Sequence, residues 1–220
     1  MADTTSEVTT LGSVAALLAE TLRHCDVDPV PLFSQAGIDL ASARDPDARF
    51  PTHRMQDLWR LAIEASGNPC LGLMAARQFQ PAVLHGLGLA WLASDTLLDA
   101  LHRLVRYSRF INPAPDFRVE VQPGSTDLVA AMPDIFPDLV HAPLDLGMAI
   151  FLRMCQITAA QPLMPVHTTL QRPRPPCETG FIEMFGPSIE YGAPVNRLCL
   201  DSDLVNRPLG MANPEPVSYT

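Results

Sequence analysis

The chain has 220 residues, 47% hydrophobic and 18% charged, with a formal net charge of −9. That composition excludes a disordered chain and leaves room for one large domain or two small ones. All 15 basic residues are arginine, so this sequence contains no P-loop lysine, Schiff-base lysine or lysine general base.

Residues 8–24 predict a first helix with Leu11, Val14, Ala15, Leu18 and Leu22 inward. Asp28 and Pro29 open a short second helix that Gly37 ends. Residues 38–51 are turn-rich. Thr52 opens a third helix, with Met55, Leu58, Trp59, Ala62 and Ile63 at i, i+3, i+4, i+7 and i+8, closed by Gly67. Pro69 opens a short helix carrying Leu71, Leu73 and Met74. Residues 86–93 form a glycine-spaced apolar run. From Ser94 an amphipathic helix is expected, with Leu97, Leu98, Leu101, Leu104 and Val105 on one face and Ser94 or Asp95 as its cap. Arg103, Arg106 and Arg109 step along another side, as a solvated face.

The period then changes. Phe117, Val119 and Val121 alternate with Arg118, Glu120 and Gln122, a half-buried strand, and 128–132 returns after a turn at 123–125. Residues 138–160 predict a long, mostly apolar helix. A third strand spans 164–171, a short helix Glu178–Phe185, and short strands 189–191 and 197–200. A last turn or short helix covers 204–209. Helices first, then strands joined by hairpin-type connections, indicate an α+β fold: N-terminal helices followed by a small antiparallel or mixed sheet packed with the long helix. The organisation expected is a disordered start at 1–8, one domain over 9–209 with a helical part to 80 and an α+β part from 81, and a tail at 210–220.

Little in the chain points to catalysis. The six histidines, His24, His53, His85, His102, His141 and His167, show no helical i, i+3 or i, i+4 pair, so no metal site is signalled. Gly86-Leu87-Gly88 lacks the third glycine of a dinucleotide loop, and no cofactor is implied. The five cysteines, Cys25, Cys70, Cys155, Cys177 and Cys199, form no CxxC pair and read as free thiols in a reducing compartment. The start of the chain lacks the basic-then-apolar pattern of a secretory signal, and apolar runs stop well short of about 18 residues, so the cytoplasm is the expected compartment.

Polar residues on a mostly buried helix must find partners or border a cavity. His141, Asp145 and Arg153 on the long helix therefore either close internal salt bridges and caps or orient a ligand in an apolar pocket. Tyr107 and Tyr191 either line such a pocket or sit at the core edge with their hydroxyls satisfied.

Three blocks carry a family resemblance through their order: 49–76, 86–111 and 181–209. The features in sequence are Phe50-Pro51, the Asn-Pro-x-Leu-Gly-Leu segment at 68–73, the glycine run at 86–88, Ser-x-Thr-Leu at 94–97 and Arg106-Tyr107. Later come Phe-Gly-x-x-Ile-x-Tyr at 185–191 and the series from Asn196 through Pro208-Leu209. Together they resemble the N-terminal effector-binding, "arabinose-binding-like" domain of AraC/XylS-family transcription regulators. The resemblance implies a sensory domain that is not an enzyme, that binds a small-molecule effector, forms a homodimer, or does both, and that controls a separate C-terminal helix-turn-helix module that binds DNA. That module is not in these 220 residues, and an acidic chain by itself is a poor partner for DNA. A module for dimerisation or protein contact, with no small-molecule ligand, is the alternative. Where many relatives carry His-Pro, this chain has Arg172-Pro173. An apolar or amphipathic effector is expected rather than a bare sugar.

Overall fold

The computed structural model describes residues 8–132, 140–159 and 162–209. The expected disorder at 1–8 falls on undescribed residues except at Val8. The expected tail at 210–220, and residues 138, 139 and 160 of the expected long helix, also lie outside the described residues.

The chain opens with a strand, β1 (Thr9–Leu11), where a helix was expected; α1 (Gly12–His24) follows. β1 pairs antiparallel with β2 (Arg49–Pro51), in the stretch read as turn. Between them lies α2 (Pro29–Gln35), whose N-cap Asp28 accepts from the Val30 N–H. α3 (Thr52–Ser66) buries Met55, Leu58, Trp59 and Ala62, as its period requires, and ends at Gly67 with φ +61°, a left-handed cap. α4 (Leu71–Arg77) is followed by α5 (Gly86–Leu92), into which the glycine run folds, and α6 (Leu97–Ile111). Thr96 caps α6 in place of Ser94 or Asp95. Its Oγ1 accepts from the Asp99 N–H at 3.1 Å and donates to the Asp99 carboxylate at 2.7 Å. Leu97, Leu101 and Leu104 are fully buried, while Leu98 and Val105 are half-buried.

The second half supplies β3 (Asp116–Gln122), β4 (Ser125–Ala131), α7 (Ala142–Ala159), β5 (His167–Leu170), α8 (Glu178–Phe185), β6 (Ile189–Tyr191), β7 (Asn196–Asp201) and α9 (Ser202–Val205). The sheet order is β3-β4-β7-β5-β6. β3–β4, β4–β7 and β7–β5 are antiparallel, and β5–β6, joined through α8, is parallel. The fold is therefore α+β with a mixed sheet, as read from the sequence.

α7 is buried on most of its circumference, from Leu146 and Ala149 to Leu152 and Cys155. It packs against α3, α4, α6, α8 and β7, and one apolar core runs from Ala15 to Leu209. The tightest approach is at Gly72 of α4, where a Cβ would stand 2.2 Å from the Ala142 carbonyl oxygen. Among the described residues, no helix is long and apolar enough to cross a membrane.

The free-thiol expectation fails for one pair: Cys70 and Cys177, 107 residues apart, form a disulfide. Each precedes a helix, α4 and α8, and the fold brings those two helix starts together. Cys25, Cys155 and Cys199 are free.

Gly72→Ala is expected to lower the unfolding free energy by about 1–3 kcal/mol, because backbone rather than a flexible side chain must yield. Urea denaturation tests this; an unchanged midpoint would refute the close α4–α7 contact.

Candidate functional site

An apolar cavity of 110 Å³ lies where the helices meet the sheet. α3 contributes Met55, Gln56 and Trp59, α6 Ser108 and Ile111, and β3 and β4 Phe117 and Ala130. α7 forms the remaining wall. At roughly 100° per residue, its cavity-lining Pro143, Leu144, Gly147, Met148 and Phe151 share one arc. Phe151 meets Phe117 edge-on, with centroids 5.2 Å apart. Gly147 leaves open space, since a Cβ there would meet nothing within 4 Å. The lining carries no charged side chain, and its polar groups are largely engaged. Gln56 Oε1 accepts from the Val140 N–H, Asn112 Oδ1 from the Ala114 N–H, and Ser108 donates to the Val105 carbonyl. An apolar cavity of about 150 Å³ holds benzene, so this space suits a compact apolar group. Leu84 and Ile111 also line a wide outer groove on α5 and α6, with Arg103, Arg106 and Tyr107 along it.

On the opposite side of the start of α7, Asp145 forms a buried ion pair with Arg172, just past β5. The guanidinium also donates to the Pro173 carbonyl and lies 4.8 Å from the centroid of the Phe181 ring. Phe181 meets Tyr191 edge-on at 6.0 Å. Burial pushes the Asp145 carboxyl up to about 7, against the opposing pull of Arg172. Burial and the Arg172 charge push His141 down. Burial and the Glu178 charge push Tyr191 up. His141 Nδ1 and the Tyr191 hydroxyl are buried without a hydrogen-bond partner among the described residues.

Residues 27–209 match the family described as "Arabinose-binding domain of AraC transcription regulator, N-term". The chain belongs to this family of AraC regulator domains. It is 26% identical over 215 residues to the ornithine utilization regulator of Pseudomonas aeruginosa, covering 97% of this chain and 62% of that protein. In fold it resembles the crystal structure of the transcriptional regulator CdpR from the same organism, with a TM-score of 0.65 and 16% identity, over 91% of this chain and 58% of that one. The chain thus spans less than two thirds of either protein.

Within this AraC-type domain, three of the sequence-predicted residues, His141, Asp145 and Tyr191, gather around Arg172. The structure gives Asp145 the internal salt bridge that was one of its two readings. Arg153 lies two turns further along α7, its Nε buried without a partner among the described residues. Tyr107 sits apart in the outer groove, with the Arg106 guanidinium 5.5 Å from its ring centroid. Sequence reasoning missed the cavity residues Gln56, Asn112 and Gly147, whose types give no signal distinct from core and turn. Arg172 had one signal, its departure from the His-Pro of many relatives.

At pH 8, Arg172→Met is expected to cost about 3 kcal/mol, because the buried Asp145 carboxyl must then either stay ionised without a partner or take up a proton; Asp145→Leu/Arg172→Met should recover most of that loss. Simple additivity in urea denaturation would refute the pairing. Asp145 also sets a pH dependence. Its folded-state pKa of about 7 exceeds the ordinary 3.8, so the folded chain holds a proton that the unfolded chain has released. Stability should therefore fall as pH rises through that window, and Asp145→Asn should flatten the slope.

Proposed function

We propose that this domain senses a compact apolar or amphipathic effector in the cavity between α3, α6, β3 and α7. The observation that carries the reading is the uncharged, apolar lining of that space. A bare sugar or a charged amino acid would bring polar groups that the lining leaves without partners, at a cost of several kcal/mol. Among the polar candidates, His141 is the proposed contact for the polar end of a ligand that reaches past the cavity toward Arg172. It lies two residues before the cavity-lining Pro143, and its Nδ1 is free of partners among the described residues. Asp145, Arg172 and Tyr191 hold that segment, Arg153 is held as a further ligand contact along α7, and Tyr107 belongs to the outer groove.

The effector would act by population shift. A ligand that prefers one arrangement of α7 biases the domain by its differential affinity and no more. In the longer regulator, that bias reaches DNA through a C-terminal DNA-binding module. Both relatives are named as regulators, and no catalytic activity is proposed.

A second reading, a module for dimerisation or protein contact, draws on the α5–α6 face, where Leu89 is 72% and Phe110 70% exposed. A homodimer through this face would dissociate on Leu89→Glu/Phe110→Glu, read by sedimentation velocity; an unchanged sedimentation coefficient would exclude that interface.

A thermal-shift screen of small apolar and amphipathic compounds should raise the melting temperature with ligand concentration. Gly147→Leu, which fills the open space, should abolish that shift while the unliganded protein stays folded. Retention of the full shift would place the ligand elsewhere, and no shift for any compound would refute effector binding.

A further inference from the structure

We infer that Cys70 and Cys177 form a reversible redox site that governs how firmly the first turns of α7 are held. Three observations carry this inference. First, the five thiols differ sharply in chemistry. Burial pushes Cys155 up to about 12 and also raises Cys25 and Cys199, which disfavours the thiolate at all three. Cys70 and Cys177 are half-buried, and their Cα atoms are 6.3 Å apart. Neither residue is sealed in the core, in contrast to Cys155.

Second, the bond closes a ring of elements. Cys70 leads into α4, whose Gly72 packs on the Ala142 carbonyl at the start of α7. Cys177 leads into α8, whose Phe181 lies under Arg172, the partner of Asp145 in the first turn of α7. The disulfide ties the two supports of that turn to each other. Pro143, Leu144 and Gly147, in the same turns, line the cavity. Arg77 and Glu183 also link α4 to α8, but that pair is more than half exposed on both sides and contributes little.

Third, each support has its own share of the core. Leu71 and Leu73 on one side, and Phe181 and Phe185 on the other, are nearly or fully buried. The reduced chain therefore keeps its fold and loses the tie, which distinguishes a switch from a bond that the fold requires.

The chemistry needs a low-molecular-weight disulfide as oxidant. One cysteine thiolate attacks it, forms a mixed disulfide and expels one small thiolate. The second cysteine attacks the protein sulfur of the mixed disulfide, forms the Cys70–Cys177 bond and expels the other. The protein loses two protons and two electrons, and the small disulfide becomes two thiols. A small dithiol runs the reaction backwards. The effect on effector affinity rests on the cavity reading above; the redox and exchange behaviour does not.

The whole chain is equilibrated in glutathione buffers of graded oxidation, quenched with an alkylating reagent and weighed. The expected result, counted after alkylation in denaturant, is three alkylated thiols at the oxidising end and five at the reducing end, in one two-thiol step reached by the folded protein. Hydrogen exchange at 142–148 should be faster in the reduced protein and in Cys70→Ser/Cys177→Ser. The melting temperature should fall by about 5–15 °C in both. Five alkylated thiols at every ratio would overturn the site. A pair that resists dithiothreitol in the folded protein would make the bond permanent and overturn the switch. Equal exchange at 142–148 in both redox states would overturn control of α7. A ligand shift that ignores redox state, with the exchange difference present, would overturn the coupling to the cavity alone.

Discussion

The buried pairing of Asp145 with Arg172 fixes the geometry on which the cavity depends. Neither charge is tolerated there alone, because desolvation of an isolated ion costs several kcal/mol even after relaxation. The pair therefore acts as a registration device: α7 is held at the end of β5, with Phe181 of α8 beneath the guanidinium. With Asp145 directed to that side, the helical period turns Pro143 and Gly147 toward the opposite space. Gly72 then lets α4 close against Ala142 from a third direction. A buried charge pair, a glycine contact and an apolar arc are consequences of one helix placement.

The blocks that carry the family resemblance surround α7 and are tied to one another. Arg49 donates to the Phe110 carbonyl, joining the first block to the second. The Leu209 N–H donates to the Asp95 carbonyl, joining the second to the last. Arg77, just past the first block, pairs with Glu183 of the last. The ordered features at 49–76, 86–111 and 181–209 specify a frame, and that frame is shared with regulators whose named roles differ. The cavity draws Met55, Gln56 and Trp59 from the first block and Ser108 and Ile111 from the second, while its α7 and sheet residues lie outside them.

Long periodic segments were legible in the sequence because side-chain burial follows helical or strand period. α3 and α6 are of this kind. β1 was not legible: three residues carry no period, and their pairing with Arg49–Pro51 lies 40 residues away. The cap of α6 fell to Thr96 because its side chain reaches Asp99, a choice of backbone geometry among three adjacent candidates. The Cys70–Cys177 pairing depends on α4 and α8 meeting, which no local signal encodes. His141, Asp145 and Tyr191 were legible as polar groups in apolar surroundings. The cavity was not, since empty space among apolar residues has the same composition as filled core.

The central claim is that the space beside α7 takes up a small apolar group. Methyl NMR on the methionine-labelled chain under xenon tests it most directly, because Met55, Met132 and Met148 line that space while Met74 and Met184 do not. The account predicts saturable shifts of the Met55, Met132 and Met148 methyls, with Met74 and Met184 unmoved. Shifts confined to Met74 and Met184, or no saturable shift at any methionine, would contradict it.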